Sequence, residues 1–136
     1  MSGDFFDSNV ILYAFDVDKR KSDLARQLLD RGLAGDAQIS YQVVQEVLNV
    51  LTRKAEAPTT GDEARRVLAD VLMPLWRVMP SEALYDRALD VHSRYGYSFY
   101  DSLIIAAALE AGCTRLLSED LQHGQRIERL TIVNPF

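Results

Sequence analysis

The sequence predicts an α/β protein, a three-layer α/β/α sandwich around a parallel, mostly five-stranded sheet. Three observations predict it. Short apolar runs of β type alternate with amphipathic helical stretches, which is the pattern of parallel strands joined by helical crossovers. The 136 residues are 48% hydrophobic and 26% charged, an ordinary globular balance, so residues 1–136 are read as one domain. The stretch Phe99 to Ala111 is apolar nearly all round, so this helix must be covered on both sides, by the sheet and by another helix or subunit.

Asp4 to Phe6 is read as the first strand, ending at Asp7-Ser8-Asn9, three residues that favour turns and helix starts. Ser22 precedes an apolar stripe of Leu24, Ala25, Leu28, Leu29 and Leu33 that stops near Gly32 and Gly35, and Ala37 to Ser40 follows as strand two. From Tyr41 to Lys54, Val43, Val44, Val47, Leu48 and Leu51 trace one helix face, with Glu46 on its border beside Gln42, Asn49 and Arg53. Thr60 and Glu63 make a capping box ahead of Val67, Leu68, Val71 and Leu72; Pro74 is expected to close that helix, and Trp76 to Met79 to form strand three. Ser81 caps a helix ended by Gly96; Ser98 opens the apolar helix, stopped by Gly112. Arg115 to Ser118 and Thr131 to Val133 are strands four and five.

The net charge of −5 argues against a protein that grips nucleic acid through a broad basic face, and the clusters Lys19-Arg20-Lys21, Arg53-Lys54 and Arg65-Arg66 read as solvated helix ends. The single cysteine, Cys113, allows no internal disulfide, and Met1-Ser2-Gly3-Asp4 has no secretory character, so a cytoplasmic location is expected. The longest apolar run, Leu103 to Leu109, is far short of the roughly 20 residues a bilayer requires.

Ligands of an open parallel sheet collect at the carboxyl ends of its strands. Asp7 and Asp120 follow strands one and four. The helix bearing Asp101 returns through the Gly112-Cys113 turn into strand four, so it begins at that same edge with Asp101 in its first turn. Glu46 lies about six residues, roughly 9 Å, into the helix after strand two. Four acids from four elements are therefore expected to converge on one edge, where like charges raise one another's pKa or demand a cation. Hard oxygen donors select Mg²⁺ or Mn²⁺; His92 and His123 are isolated and offer no zinc site. Such a cation would serve phosphodiester hydrolysis and supply the positive charge the composition lacks.

Singly, each acid has a plainer explanation. Asp7 and Asp101 stand at cap and capping-box positions, Glu46 could pair with Arg53 or Lys54, and Asp120 could cap a turn. It is the joint placement that favours a site. Ser8, Asn9, Ser102 and Ser118 are commoner as local caps, though Ser8, Asn9 and Ser118 could also support the ligating acids. Tyr13, Tyr41, Tyr97 and Tyr100 read as core or interface aromatics.

At these residues the sequence resembles a PIN domain of the VapC-like toxin ribonucleases. The resemblance rests on Phe6-Asp7-Ser8-Asn9-Val10, Gln45-Glu46-Val47 in a helix closing with Arg53-Lys54, Tyr100-Asp101-Ser102-Leu103-Ile104 with Ala106 and Ala107, Leu117-Ser118-Glu119-Asp120, and Asn134-Pro135-Phe136. It implies an α/β/α sandwich and metal-dependent cleavage of single-stranded RNA, with Asp7, Glu46, Asp101 and Asp120 matching the family's metal-binding acids. It also implies a homodimer and a protein antitoxin that inserts a segment near the acidic cleft. Some members carry a further acid a few residues on, where Gln122 and His123 stand here, so a second tightly held ion is not expected. Glu119 is expected to face solvent. Two alternatives are a non-catalytic RNA-binding or interaction module on the same fold and a phosphoacceptor receiver domain. Against the latter, Asp4 lies upstream of Phe5-Phe6 and Thr131 to Phe136 holds no lysine.

Overall fold

Consecutive strand residues point to opposite faces of a sheet, so a strand buried at every position must be covered on both sides. In the computed structural model, which describes residues 3–53 and 61–136, Phe5 and Phe6 are 0% and 1% exposed, and Leu116 and Leu117 are likewise buried. These residues belong to β1 (Asp4–Phe6) and β4 (Arg115–Leu117), adjacent parallel strands at the centre of an α/β/α sandwich. Next to β4 runs parallel β6 (Leu130–Val133), and antiparallel β5 (Arg126–Ile127) pairs with β6 at the edge. On the far side of β1, β2 (Ile39–Ser40) and β3 (Trp76–Val78) form a parallel pair. A single bridge joins this pair to β1, with the Phe6 amide donating to the Gln38 carbonyl at 3.1 Å and the Gln38 amide to the Asp4 carbonyl at 2.9 Å.

All five expected strands form, but not as one five-stranded sheet. They divide into a four-stranded sheet, β1-β4-β6-β5, and the two-stranded β2-β3. The unpredicted strand is β5, whose hairpin turns through Glu128 at φ 55°. No Asn-Gly or Asp-Gly pair announces that turn, so it left no local signal.

Helices α1 (Ser8–Leu12), α2 (Lys19–Ala34) and α3 (Tyr41–Leu51) carry the chain across the first half. α2 begins before Ser22, because the Asp18 side chain caps it by accepting from the Lys21 amide at 3.2 Å. Ser22 sits inside the helix, donating to the Ala14 carbonyl at 3.3 Å, and Leu33 is exposed rather than core. Gly32 is buried in mid-helix because a Cβ there would meet the Phe6 ring and the Ala37 Cβ at 2.8 Å. The missing methyl lets α2 lie directly on β1.

Thr60 and Lys54 lie outside the described residues. α4 (Gly61–Val67) does not stop at Pro74: the helical path continues through a π turn, Leu68–Leu72, into α5 (Met73–Leu75). Pro74 stands where the π turn gives way to α5, and the chain leaves the helix for β3 just after Leu75. α6 (Glu82–Tyr95) is capped by Ser81 and ended by left-handed Gly96, and α7 (Phe99–Glu110) is capped by Ser98, as their sequences predict. Ser102 to Leu109 are all buried, enclosed by α6 and the sheet within one chain. Among the described residues no helix is long and apolar enough to cross a membrane.

Candidate active site

β1 ends where its neighbour β4 ends, and the residues just past both strands meet. Asp7 is the N-cap of α1 and only 6% exposed. Its Oδ1 accepts from the Ser8 amide at 2.7 Å, and its Oδ2 from Ser118 Oγ at 2.7 Å. Ser118 Oγ in turn accepts from the Asp120 amide at 3.2 Å and from Asn9 Nδ2 at 3.5 Å, so its one hydrogen and both lone pairs are used. Asn9 Nδ2 also donates to Asp120 Oδ2 at 3.1 Å, while its Oδ1 accepts from the Glu119 amide at 3.2 Å. One buried asparagine thus fastens the first turn of α1 to the loop after β4. Ser8 contributes only its backbone amide to Asp7.

Glu46 and Asp101 are linked through a residue the sequence reading left in a polar stripe. Gln42, one turn before Glu46 on α3 and 4% exposed, donates from Nε2 to Glu46 Oε2 at 3.3 Å and to the Tyr100 carbonyl at 3.1 Å. The peptide after that carbonyl belongs to Asp101, whose amide is capped by Ser98 Oγ at 3.2 Å. The i, i+4 spacing of Gln42 and Glu46 was the available signal, since such residues share a helix face. Gln42 Oε1 and Ser40 Oγ, both at the start of α3, are buried with no hydrogen-bond partner among the described residues. A buried acceptor left unpaired costs about 1–3 kcal/mol.

Burial above all, against the lowering pull of Ser118 and the Ser8 amide and with a smaller push from the charges of Glu46 and Asp120, lifts the Asp7 carboxyl to about 6. Of the other three acids, Glu46 and Asp120 bear on the charge of Asp7, and Gln42 joins Glu46 to the Tyr100 carbonyl, one residue before Asp101. The four acids are not set as a finished ligand shell, because among the described residues no three His, Cys, Asp or Glu side chains could hold a metal ion as they stand. Three of them instead face neutral donors: Ser118 and the Ser8 amide at Asp7, Asn9 at Asp120, Gln42 at Glu46. In donor type and charge the set fits a hard divalent cation, which would relieve the repulsion felt at Asp7.

Glu119 does not face solvent as expected. It accepts from the Tyr13 hydroxyl and from Lys21 Nζ at 2.9 Å, and these two partners hold its carboxyl below the usual range. Lys21 Nζ also stands 4.5 Å from the centroid of the Tyr13 ring, which packs edge-on against Phe136 at 4.8 Å. Arg20 reaches the Phe136 carbonyl at 3.1 Å. Two of the three cations read as a solvated helix end therefore tie α2 to the loop bearing Asp120 and to the chain end. Of the tyrosines expected in core or interface, Tyr100 is 67% exposed, beside Asp101. His92 and His123 each meet only backbone, at Tyr97 and Asn134.

A strand-end cluster of acids on an α/β/α sandwich defines a class, and the family follows from comparison. The PIN domain family model matches residues 5–128, and the chain belongs to that family. The receiver alternative falls with this assignment. Among solved structures, a toxin–antitoxin complex from Klebsiella pneumoniae superposes with a TM-score of 0.72 at 18% identity, covering 98% of each chain. FitAcB from Neisseria gonorrhoeae gives 0.67 at 17% identity, again over 98% of each chain. VapC20 of Mycobacterium tuberculosis, described as a toxin that cleaves the sarcin-ricin loop, gives 0.60 at 17% identity, over 84% of this chain and 87% of that one. Curated protein sequences gave no significant match.

Proposed function

We propose that this chain is a Mg²⁺- or Mn²⁺-dependent endoribonuclease acting on single-stranded RNA, the toxin of a toxin–antitoxin pair. What supports the reading is Asp7, buried at the strand edge with the charges of Glu46 and Asp120 bearing on it, and Gln42, which joins Glu46 to the Tyr100 carbonyl just before Asp101. A protein that merely bound a phosphate backbone would gain nothing from clustered negative charge. The fold shared with a toxin–antitoxin complex supports a protein antitoxin, whose segment would enter beside the acidic edge. A cytoplasmic homodimer belongs to the same reading.

Asp7, Glu46, Asp101 and Asp120 would hold the cation, which when bound would draw in the scissile phosphate, activate water and steady the leaving oxygen. The chain's other residues keep those acids in place. Ser118 and the Ser8 amide fix both oxygens of Asp7, Asn9 holds the Asp120 loop against α1, and Gln42 spans α3 and α7.

The test is cleavage of single-stranded RNA by purified protein freed of any partner. Asp7→Ala and Asp101→Ala are expected to abolish cleavage while circular dichroism stays unchanged. Full activity in excess chelator would refute the reading. A non-catalytic PIN-fold binding module is favoured by one observation, the lack among the described residues of three acids already set to hold an ion. RNA binding without cleavage at any Mn²⁺ concentration would establish that alternative.

A further inference from the structure

We infer that Gln42 is a positioning residue of this site, setting the separation between Glu46 on α3 and the first turn of α7 that carries Asp101; the inference rests on the functional reading above. Both groups its nitrogen meets, the Glu46 carboxylate and the Tyr100 carbonyl, are acceptors. The amide orientation is therefore determined, since the reverse would bring oxygen against oxygen. That orientation strands Oε1, which is buried and meets no donor among the described residues. Burying an amide half-satisfied is worse for stability than burying an apolar side chain of similar volume. A residue needed at position 42 only to fill space between α3 and α7 would do better as Met. What the amide adds is the bridge itself, one donor group held by two elements that each present an acid. Where a structure gives up stability at a site, the compensation is sought in function.

The experiment compares wild type with Gln42→Met, which keeps the volume, and Gln42→Glu, which keeps the shape but loses the donor and adds a charge beside Glu46. In the metal-free protein, Gln42→Met is expected to melt no lower than wild type, yet to exchange its amide hydrogens faster in the first turn of α7 alone. Its affinity for Mn²⁺ by calorimetry is expected to fall roughly 10- to 100-fold, as when a residue orienting a ligand is lost. Its kcat should fall with KM for RNA unchanged, and Gln42→Glu should lose at least as much kcat. Wild-type Mn²⁺ affinity and kcat in Gln42→Met would overturn the inference, as would a lower Tm with exchange quickened across the whole domain. Should the wild type itself neither bind Mn²⁺ nor cleave RNA, the nuclease reading fails separately. Exchange in the α7 turn then decides alone, local acceleration upholding the bridge and none overturning it.

Discussion

Replacing Asp7 by Asn should make the stability of the metal-free protein less dependent on pH between 4 and 8. Asp7 is 6% exposed, and burial together with the charges of Glu46 and Asp120 lifts its carboxyl from the ordinary 3.8 to about 6. At about 1.36 kcal/mol per pH unit, that disfavours the ionised form in the fold by about 3 kcal/mol. Because the folded pKa is the higher, Asp7 favours folding fully below pH 3.8, and that contribution is lost as pH rises through about 6. Asn stays neutral at every pH and accepts from the Ser8 amide as Asp7 does, but it gives the Ser118 hydroxyl no acceptor, a loss of about 1–3 kcal/mol at every pH. The stability of Asp7→Asn relative to wild type should therefore be lowest at pH 4 and rise by about 2–3 kcal/mol by pH 8, most steeply between pH 4 and 6. In a domain of this size that is roughly 6–15 °C in Tm. The assay is thermal unfolding across that range, in chelator and again with millimolar Mg²⁺. Mg²⁺ should raise the wild-type Tm and leave the variant unmoved, since only an ion held by the folded site stabilises it. A gap that does not change with pH would refute the electrostatic account of this edge.

Asn9→Ala removes the bonds that fasten the Asp120 loop to α1. It should cost about 1–3 kcal/mol in urea unfolding, by stranding the Glu119 amide, and a larger share of kcat than of Tm. Gly32→Ala, which in an ordinary mid-helix position would stabilise, should instead destabilise by about 1–3 kcal/mol, because the added methyl meets Phe6 and Ala37. Cleavage per folded molecule should stay unchanged, and a stabilised variant would mean that α2 yields easily. Glu119→Gln should leave Mn²⁺ affinity within a few-fold of wild type, since Tyr13 and Lys21 already occupy that carboxylate. Loss of the ion in that variant would make Glu119 a ligand.

Most of the fold could be read from local pattern. The caps at Ser81 and Ser98, the stops at Gly96 and Gly112, and the five parallel strands follow from side chains acting within a few residues of themselves. Errors arose where the deciding contact is distant. Glu119 looked solvent-facing because the cation that meets it, Lys21, lies 98 residues away. Gln42 looked like a stripe residue because the Tyr100 carbonyl, 58 residues on, is invisible from α3 alone. The β5 hairpin escaped because Glu128 takes a left-handed turn without a glycine.

The same division holds for the site. The order and spacing of Asp7, Glu46, Asp101 and Asp120 are properties of the chain, and parallel topology requires the ends of β1 and β4 to meet. Which donor faces each carboxylate, and so which acids are buried, charged or held back, is set by the packing of α1 against the β4 loop and of α3 against α7. Sequence periodicity reports only on which side of its own element a residue lies. Hydrogen bonds between elements exist only after those elements have docked, and they decide how the acids stand relative to one another.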